Sequence, residues 1–180
     1  MPPSETLILI GLRGTGKTTV GQLVAAARRL PFVDVDAQLQ AATGQSVRQL
    51  FASIGEAGFR ELEAALLAQL LDRATPQVIA TGGGAVLRAD NRQRIRAAGW
   101  VVWLTADPAV LAERLAADAA TAEQRPALVA GGGLAEVVQL AAAREPLYRE
   151  CADLIVPTDS LSPQQVAEHI LSAWNSNGLT

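Results

Sequence analysis

The chain has 180 residues, 49% of them hydrophobic, which is enough to bury one core of ordinary size. Fifteen basic against eighteen acidic residues leave a net charge of -3, so there is no diffuse positive field to hold nucleic acid or an anionic membrane. One cysteine, Cys151, and one histidine, His169, exclude an internal disulfide framework, a zinc cluster and any mechanism that needs two histidines.

The first apolar run, Leu7 to Ile10, is too short to span a bilayer and has no basic segment before it, so a cytoplasmic, reducing compartment is expected. Short runs rich in Ile and Val fall at Thr6 to Ile10, Phe32 to Val35, Gln77 to Thr81, Trp100 to Leu104 and Asp153 to Val156. Segments of helical spacing separate them, an alternation that predicts parallel strands with crossover helices. Val20, Leu23, Val24 and Ala27 mark one face of a first helix, which Pro31 stops. Phe59, Leu62, Leu66 and Leu70 mark a second. Val110, Leu111, Arg114 and Leu115 mark a third, after the Asp107-Pro108 helix start. From about 116 to 133 the pattern dissolves around Arg125-Pro126 and reads as a mobile insertion, while Ala141 to Ala143 is helix-forming. No linker, repeat or low-complexity tail sets off a second domain, so residues 1–180 read as one.

Residues 11–21 read GLRGTGKTTVG. Gly11, four residues, then Gly16, Lys17 and Thr18 follow a strand and open a helix, the context a phosphate-binding loop requires. Glycines let backbone N–H groups turn inward around a polyphosphate, and the helix N-terminus adds its positive end. Lys17 would reach the β/γ oxygens and Thr18 would offer its hydroxyl to Mg²⁺. Gly14, Thr15, Gly16, Lys17, Thr18 and Thr19 are therefore the candidate nucleotide site, with ATP or GTP as the natural ligand. Lys17 is the single lysine of the chain; the other fourteen basic residues are arginine.

In FVDVD, Asp34 and Asp36 are two apart at the end of a predicted strand, which would aim both carboxylates to one side of the sheet. One could serve Mg²⁺ and the other an acceptor hydroxyl; alternatively, such acids cap the helix that follows. After the third strand, ATGGGA places Gly82, Gly83 and Gly84 in succession, either a bed on which a substrate touches backbone or a flexible turn. Arg60 and Glu63 are three apart on one helix face. The acid could fix the direction of a guanidinium fork that selects a carboxylate, or the two could be a solvated pair. Arg144 alone is an ordinary helix-surface arginine.

With GEAGFRELE at residues 55–63, the RP pair at 125 and 126, and REPLY at 144–148, these motifs resemble the shikimate kinase family, of nucleoside-monophosphate-kinase-like P-loop type, over about residues 5–172. The resemblance implies a three-layer α/β/α fold on a five-stranded parallel sheet, with a substrate-binding region at about 34–62 and a lid at about 116–133. It implies phosphorylation of the 3-hydroxyl of shikimate by MgATP. Asp34 would support Mg²⁺ together with Thr18, and Asp36 would hold the acceptor hydroxyls and act as base. Arg60 and Arg144 would grip the carboxylate, Gly82 to Gly84 would line the same pocket, and Glu63 would steady Arg60. Arg125 would swing over the transferring phosphoryl group; Arg114 and Pro163 would flank adenine. Catalysis is thus expected of Lys17, Asp36 and Arg125, in a monomer whose partners are MgATP and shikimate, with no nucleic acid and no membrane. The competing readings are a kinase for another hydroxy acid such as gluconate, and a nucleotide-binding module without transfer. His169, Trp100, Trp103 and Cys151 are expected to pack or lie at the surface, and Arg92, Arg94 and Arg96 to form a solvated face.

Overall fold

The computed structural model describes residues 5–73, 75–117 and 133–176. Strands β1 Leu7–Ile10, β2 Phe32–Asp34, β3 Val78–Ala80, β4 Trp100–Thr105 and β5 Leu154–Pro157 form one parallel sheet in the order β2-β3-β1-β4-β5. The helices are α1 Lys17–Arg28, α2 Val35–Thr43, α3 Val47–Leu71, α4 Ala89–Ala98, α5 Pro108–Ala117, α6 Leu134–Cys151 and α7 Pro163–Ser176, with a 3-10 turn at Ala85–Leu87. None of the helices among the described residues is long and apolar enough to cross a membrane.

The central strand is apolar on both faces because both faces are covered. Leu7 and Leu9 face a layer built from α1 and α7, where they meet Val20, Val24, Val166, Ile170 and Trp174. Ile8 and Ile10 face the other layer, where Leu39, Phe59, Leu67, Ile95, Leu111 and Tyr148 come from α2 to α6. This is the expected three-layer α/β/α arrangement. Truncating a buried Ile or Leu of β1 to Ala would cost about 2–5 kcal/mol, a large share of a domain's net stability. Trp100 and Trp103 lie on opposite faces of β4. Trp100 packs on Trp174 at 6.0 Å, and Trp103 stacks on Tyr148 at 5.6 Å and 23°.

α1 ends one turn before Pro31, as expected. Arg29 takes a left-handed φ of 56°, and the amides of Arg29 and Leu30 bond back to the carbonyls of Ala26 and Ala25. The segment after β2 departs from expectation. β2 stops at Asp34, and Val35 already opens α2, with the Asp34 carboxylate accepting from the Ala37 amide at 3.1 Å as its N-cap. Asp34 and Asp36 therefore do not share a strand face; a helix start brings them to the same place.

α3 begins with a Ser46/Gln49 capping box and bends at Gly55, whose φ of 71° and ψ of 175° split it into two helical runs. In the second run the buried stripe is Phe59, Glu63, Leu67 and Leu70, while Leu62 is 38% exposed. The expected apolar face is thus rotated, and an acid occupies a core position. Arg92 is also not simply solvated. It donates to Glu150 and to the Val86 carbonyl, each at 2.9 Å, and so ties α4 to α6 and to the 3-10 turn. Arg94 and Arg96 are exposed, as are His169 and Pro163; Cys151 is buried.

Candidate active site

In a parallel sheet the ligand crevice opens at the carboxyl ends of the strands where the order reverses, here around β1 between β3 and β4. The loop from β1 to α1 sits at this point. Gly14 and Gly16 have φ of +86° and +90°, values that glycine alone adopts without strain, and a Cβ at Gly11 would run into the Leu104 carbonyl. Thr15 is buried, and its hydroxyl donates to the Leu12 carbonyl at 2.8 Å, closing the loop from inside. The Lys17 ammonium donates to the carbonyls of Gly11 and Leu12, at 2.8 Å each, which fixes the cation across the loop. Thr18 donates to Asp34 at 2.7 Å.

A cavity of about 400 Å³ opens over this loop. Gly14, Gly16, Lys17, Thr18 and Thr19 line it from the loop and α1, Asp34 and Asp36 from the start of α2, Thr81 and Gly83 from beyond β3, and Arg114 from α5. The paired Thr18 hydroxyl and Asp34 carboxylate are hard oxygen donors next to the loop cation. They fit Mg²⁺, which takes few ligands from protein and keeps water and phosphate oxygens for the rest. Among the described residues no group of three or more His, Cys, Asp and Glu side chains gathers as a metal cage.

The side expected to take the acceptor holds charge in a dry place. Arg60 donates to Glu63 at 2.7 Å, lies 3.5 Å from Glu56, and rests over the rings of Phe59 and Phe51 at 5.3 and 5.8 Å. Glu63 is 1% exposed, and burial raises its pKa even though the Arg60 guanidinium pulls the other way. Its Oε1 atom has no hydrogen-bond partner among the described residues. The pair is therefore not a solvated surface contact.

Each of the three glycines faces a different neighbour, and at Gly82 and Gly84 that neighbour leaves no room for a side chain. A Cβ on Gly82 would strike Glu63 Oε1 and come within 3.0 Å of Asp36 Oδ1. One on Gly84 would strike the Arg60 guanidinium. One on Gly83 would lie 3.4 Å from the Arg13 amide nitrogen and 3.5 Å from the Gly11 carbonyl oxygen, against the phosphate loop. The triple glycine is thus a seam between the phosphate loop and the Arg60–Glu63 pair. The Gly83 carbonyl accepts from Tyr148 Oη at 2.6 Å and from Arg144 at 3.2 Å. Tyr148 was not among the expected site residues, although it lies four residues after Arg144 on the same helix face.

Arg114 donates to the Gly14 carbonyl at 3.2 Å and to the Thr158 hydroxyl and carbonyl at 3.0 and 2.6 Å. It ties the phosphate loop to the connection after β5. Pro163 opens α7 and does not line the cavity. Arg125 and Pro126, with residues 118–132 of the expected lid, lie outside the described residues.

A parallel sheet of this order, a phosphate loop between its central strand and α1, and a buried Arg60–Glu63 pair across the glycines from that loop mark a P-loop kinase of the nucleoside-monophosphate-kinase-like class. A sequence profile of the family described as shikimate kinase matches residues 13–175. A shikimate kinase of Rhodopirellula baltica is 42% identical over 173 residues, covering 96% of this chain and 92% of the relative. One of Pseudomonas savastanoi pv. phaseolicola is 43% identical over 168 residues, covering 93% and 95%. The solved structure of shikimate kinase from Acinetobacter baumannii in complex with shikimate superposes with a TM-score of 0.90 at 34% identity, covering 97% of this chain and 95% of that one. The chain belongs to the shikimate kinase family.

Proposed function

We propose that the protein transfers the terminal phosphoryl group of ATP to the 3-hydroxyl of shikimate, giving shikimate 3-phosphate and ADP. The observation that carries this reading is the glycine seam, in which Gly83 abuts the phosphate loop while Gly84 abuts Arg60. A donor phosphate and an acceptor carboxylate held on those two sides are neighbours. Family membership supports shikimate over gluconate as the acid, and the planar forks of Arg60 and Arg144 suit a carboxylate.

Phosphoryl transfer asks the protein mainly for placement and charge neutralisation. The loop amides and Lys17 hold the polyphosphate, and Lys17 offsets charge on the moving group. Thr18 and Asp34 would hold Mg²⁺, which would supply positive charge against that of the phosphates. Asp36, buried beside Gly82 and Glu63, accepts the proton of the attacking hydroxyl as the new O–P bond forms and the bond to the β-phosphate oxygen breaks. Arg60, steered by Glu63, and Arg144 fix the ring by its carboxylate. Arg125 is assigned to the transferring group, and Arg114 and Pro163 to the two faces of adenine, by family resemblance.

Coupled measurement of ADP release from MgATP, with shikimate, with gluconate and without acceptor, tests the assignment. Release that depends on shikimate is expected. Equal release in all three reactions, or a preference for gluconate, would overturn it.

A further inference from the structure

Tyr148 is 1% exposed, and its ring is clamped flat against Trp103 of β4, so its hydroxyl has one fixed position. From there it donates to Gly83 at 2.6 Å, a short bond between neutral oxygens, whereas the Arg144 nitrogen reaches the same carbonyl only at 3.2 Å, the long end of the range. Burial pushes the phenol's pKa upward, so it remains a donor across the working pH range. The Arg144 guanidinium also acts on the phenol, so the two side chains meet around one carbonyl whose two lone pairs accept both.

We propose that Tyr148 is a positioning residue for the acceptor: with its hydroxyl fixed on the Gly83 carbonyl, it holds Arg144 in place beside that carbonyl, so that the guanidinium fork stays aimed at the substrate carboxylate. This rests on the reading of Arg144 as part of the carboxylate grip. Without the hydroxyl, Arg144 loses that fixed neighbour, only its long contact to Gly83 orders it there, and the fork is less well aimed at the acceptor. The side of Gly83 that abuts Arg13 and Gly11 is untouched, so nucleotide binding is spared.

Tyr148→Phe removes one oxygen and keeps the stacked ring. Shikimate and ATP affinities are measured by calorimetry for the wild type, Tyr148→Phe, Arg144→Ala and the double variant. Shikimate binding should weaken about tenfold in Tyr148→Phe, with ATP binding unchanged. In the Arg144→Ala background the same replacement should add nothing, a pattern that loosened packing does not produce. Wild-type shikimate affinity in Tyr148→Phe, or an equal loss in both backgrounds, would overturn the role of Tyr148 while the grip stands. Wild-type affinity in Arg144→Ala would overturn the grip itself. Should Tyr148→Phe not fold, a crystal structure of the wild type with shikimate decides: Tyr148 Oη must stay on the Gly83 carbonyl, and a hydroxyl turned onto the ligand or solvent contradicts the proposal.

Discussion

Gly84 and Arg60 occupy adjoining space so closely that a single added carbon on the glycine would overlap the guanidinium. The backbone at Gly84 has φ of -98° and ψ of -1°, which any residue can adopt, so steric contact and not conformation keeps a side chain out. Gly84→Ala should fold with reduced stability: the flexible end of Arg60 can swing aside, but Glu63 then stays buried without its cation. In swinging it leaves its place over Phe59 and its bond to Glu63. The KM for shikimate should rise roughly tenfold or more with that for ATP little changed. Steady-state kinetics in both substrates checks this, and a parallel rise in both constants would place Gly84 outside the acceptor pocket.

Arg60 balances the buried Glu63, and its proposed grip on the acceptor can be separated from that role by different substitutions. Arg60→Ala leaves Glu63 buried without its cation, a loss on the order of 3 kcal/mol in unfolding free energy. It should also raise the shikimate KM far more than the ATP KM. Arg60→Lys keeps the charge but not the fork, so stability should largely return while the shikimate KM stays high. Urea unfolding together with kinetics distinguishes the two effects; recovery of both in the lysine variant would show that charge alone is needed.

Lys17 bridges two carbonyls of its own loop and is the only lysine of the chain. Lys17→Ala should lower kcat by at least about a hundredfold while the circular dichroism spectrum is kept. An active variant would remove Lys17 from the reaction.

The raised pKa of Glu63 sets the sign of a pH effect. The folded chain holds this proton more tightly than the unfolded chain does. The stability it contributes is therefore complete below the ordinary value of 4.5 and is lost as pH rises through the raised folded value. The unfolding free energy of the wild type minus that of Glu63→Gln should thus fall as pH rises above 4.5. A difference that grew with pH would mean that Arg60, and not burial, governs this acid.

Cys151 is 2% exposed, and burial pushes its thiol up to about 11. Ellman's reagent should react with it slowly in the native protein and at once in denaturant, since the thiolate is the reactive form. Immediate native-state labelling would contradict the packing of α6.

The phosphate loop was legible from sequence because its chemistry is local: a glycine spacing, a lysine and a hydroxyl between a strand and a helix. The strands were legible for the same reason, each run being found to within a residue or so at either end. FVDVD misled because its apolar-polar alternation has the period of a strand, while the N-cap of Asp34 turns the chain into a helix one residue sooner. Glu63 had no local signal for burial, since the apolar neighbours Leu62 and Leu66 suggested a different face. Its meeting with Gly82 is a tertiary contact that no spacing encodes. Tyr148 was hidden in a motif whose arginine drew attention, and only the fold brings its hydroxyl to Gly83.

The stack of Trp103 on Tyr148 gives the protein a built-in optical gauge. That indole lies one ring away from the hydroxyl that secures the glycine seam, while Trp100 and Trp174 sit together beyond the sheet, in the layer against α1. Emission from Trp103 should consequently respond to events at the seam more than that of the other two indoles, so shikimate binding is expected to be measurable by fluorescence with no label attached.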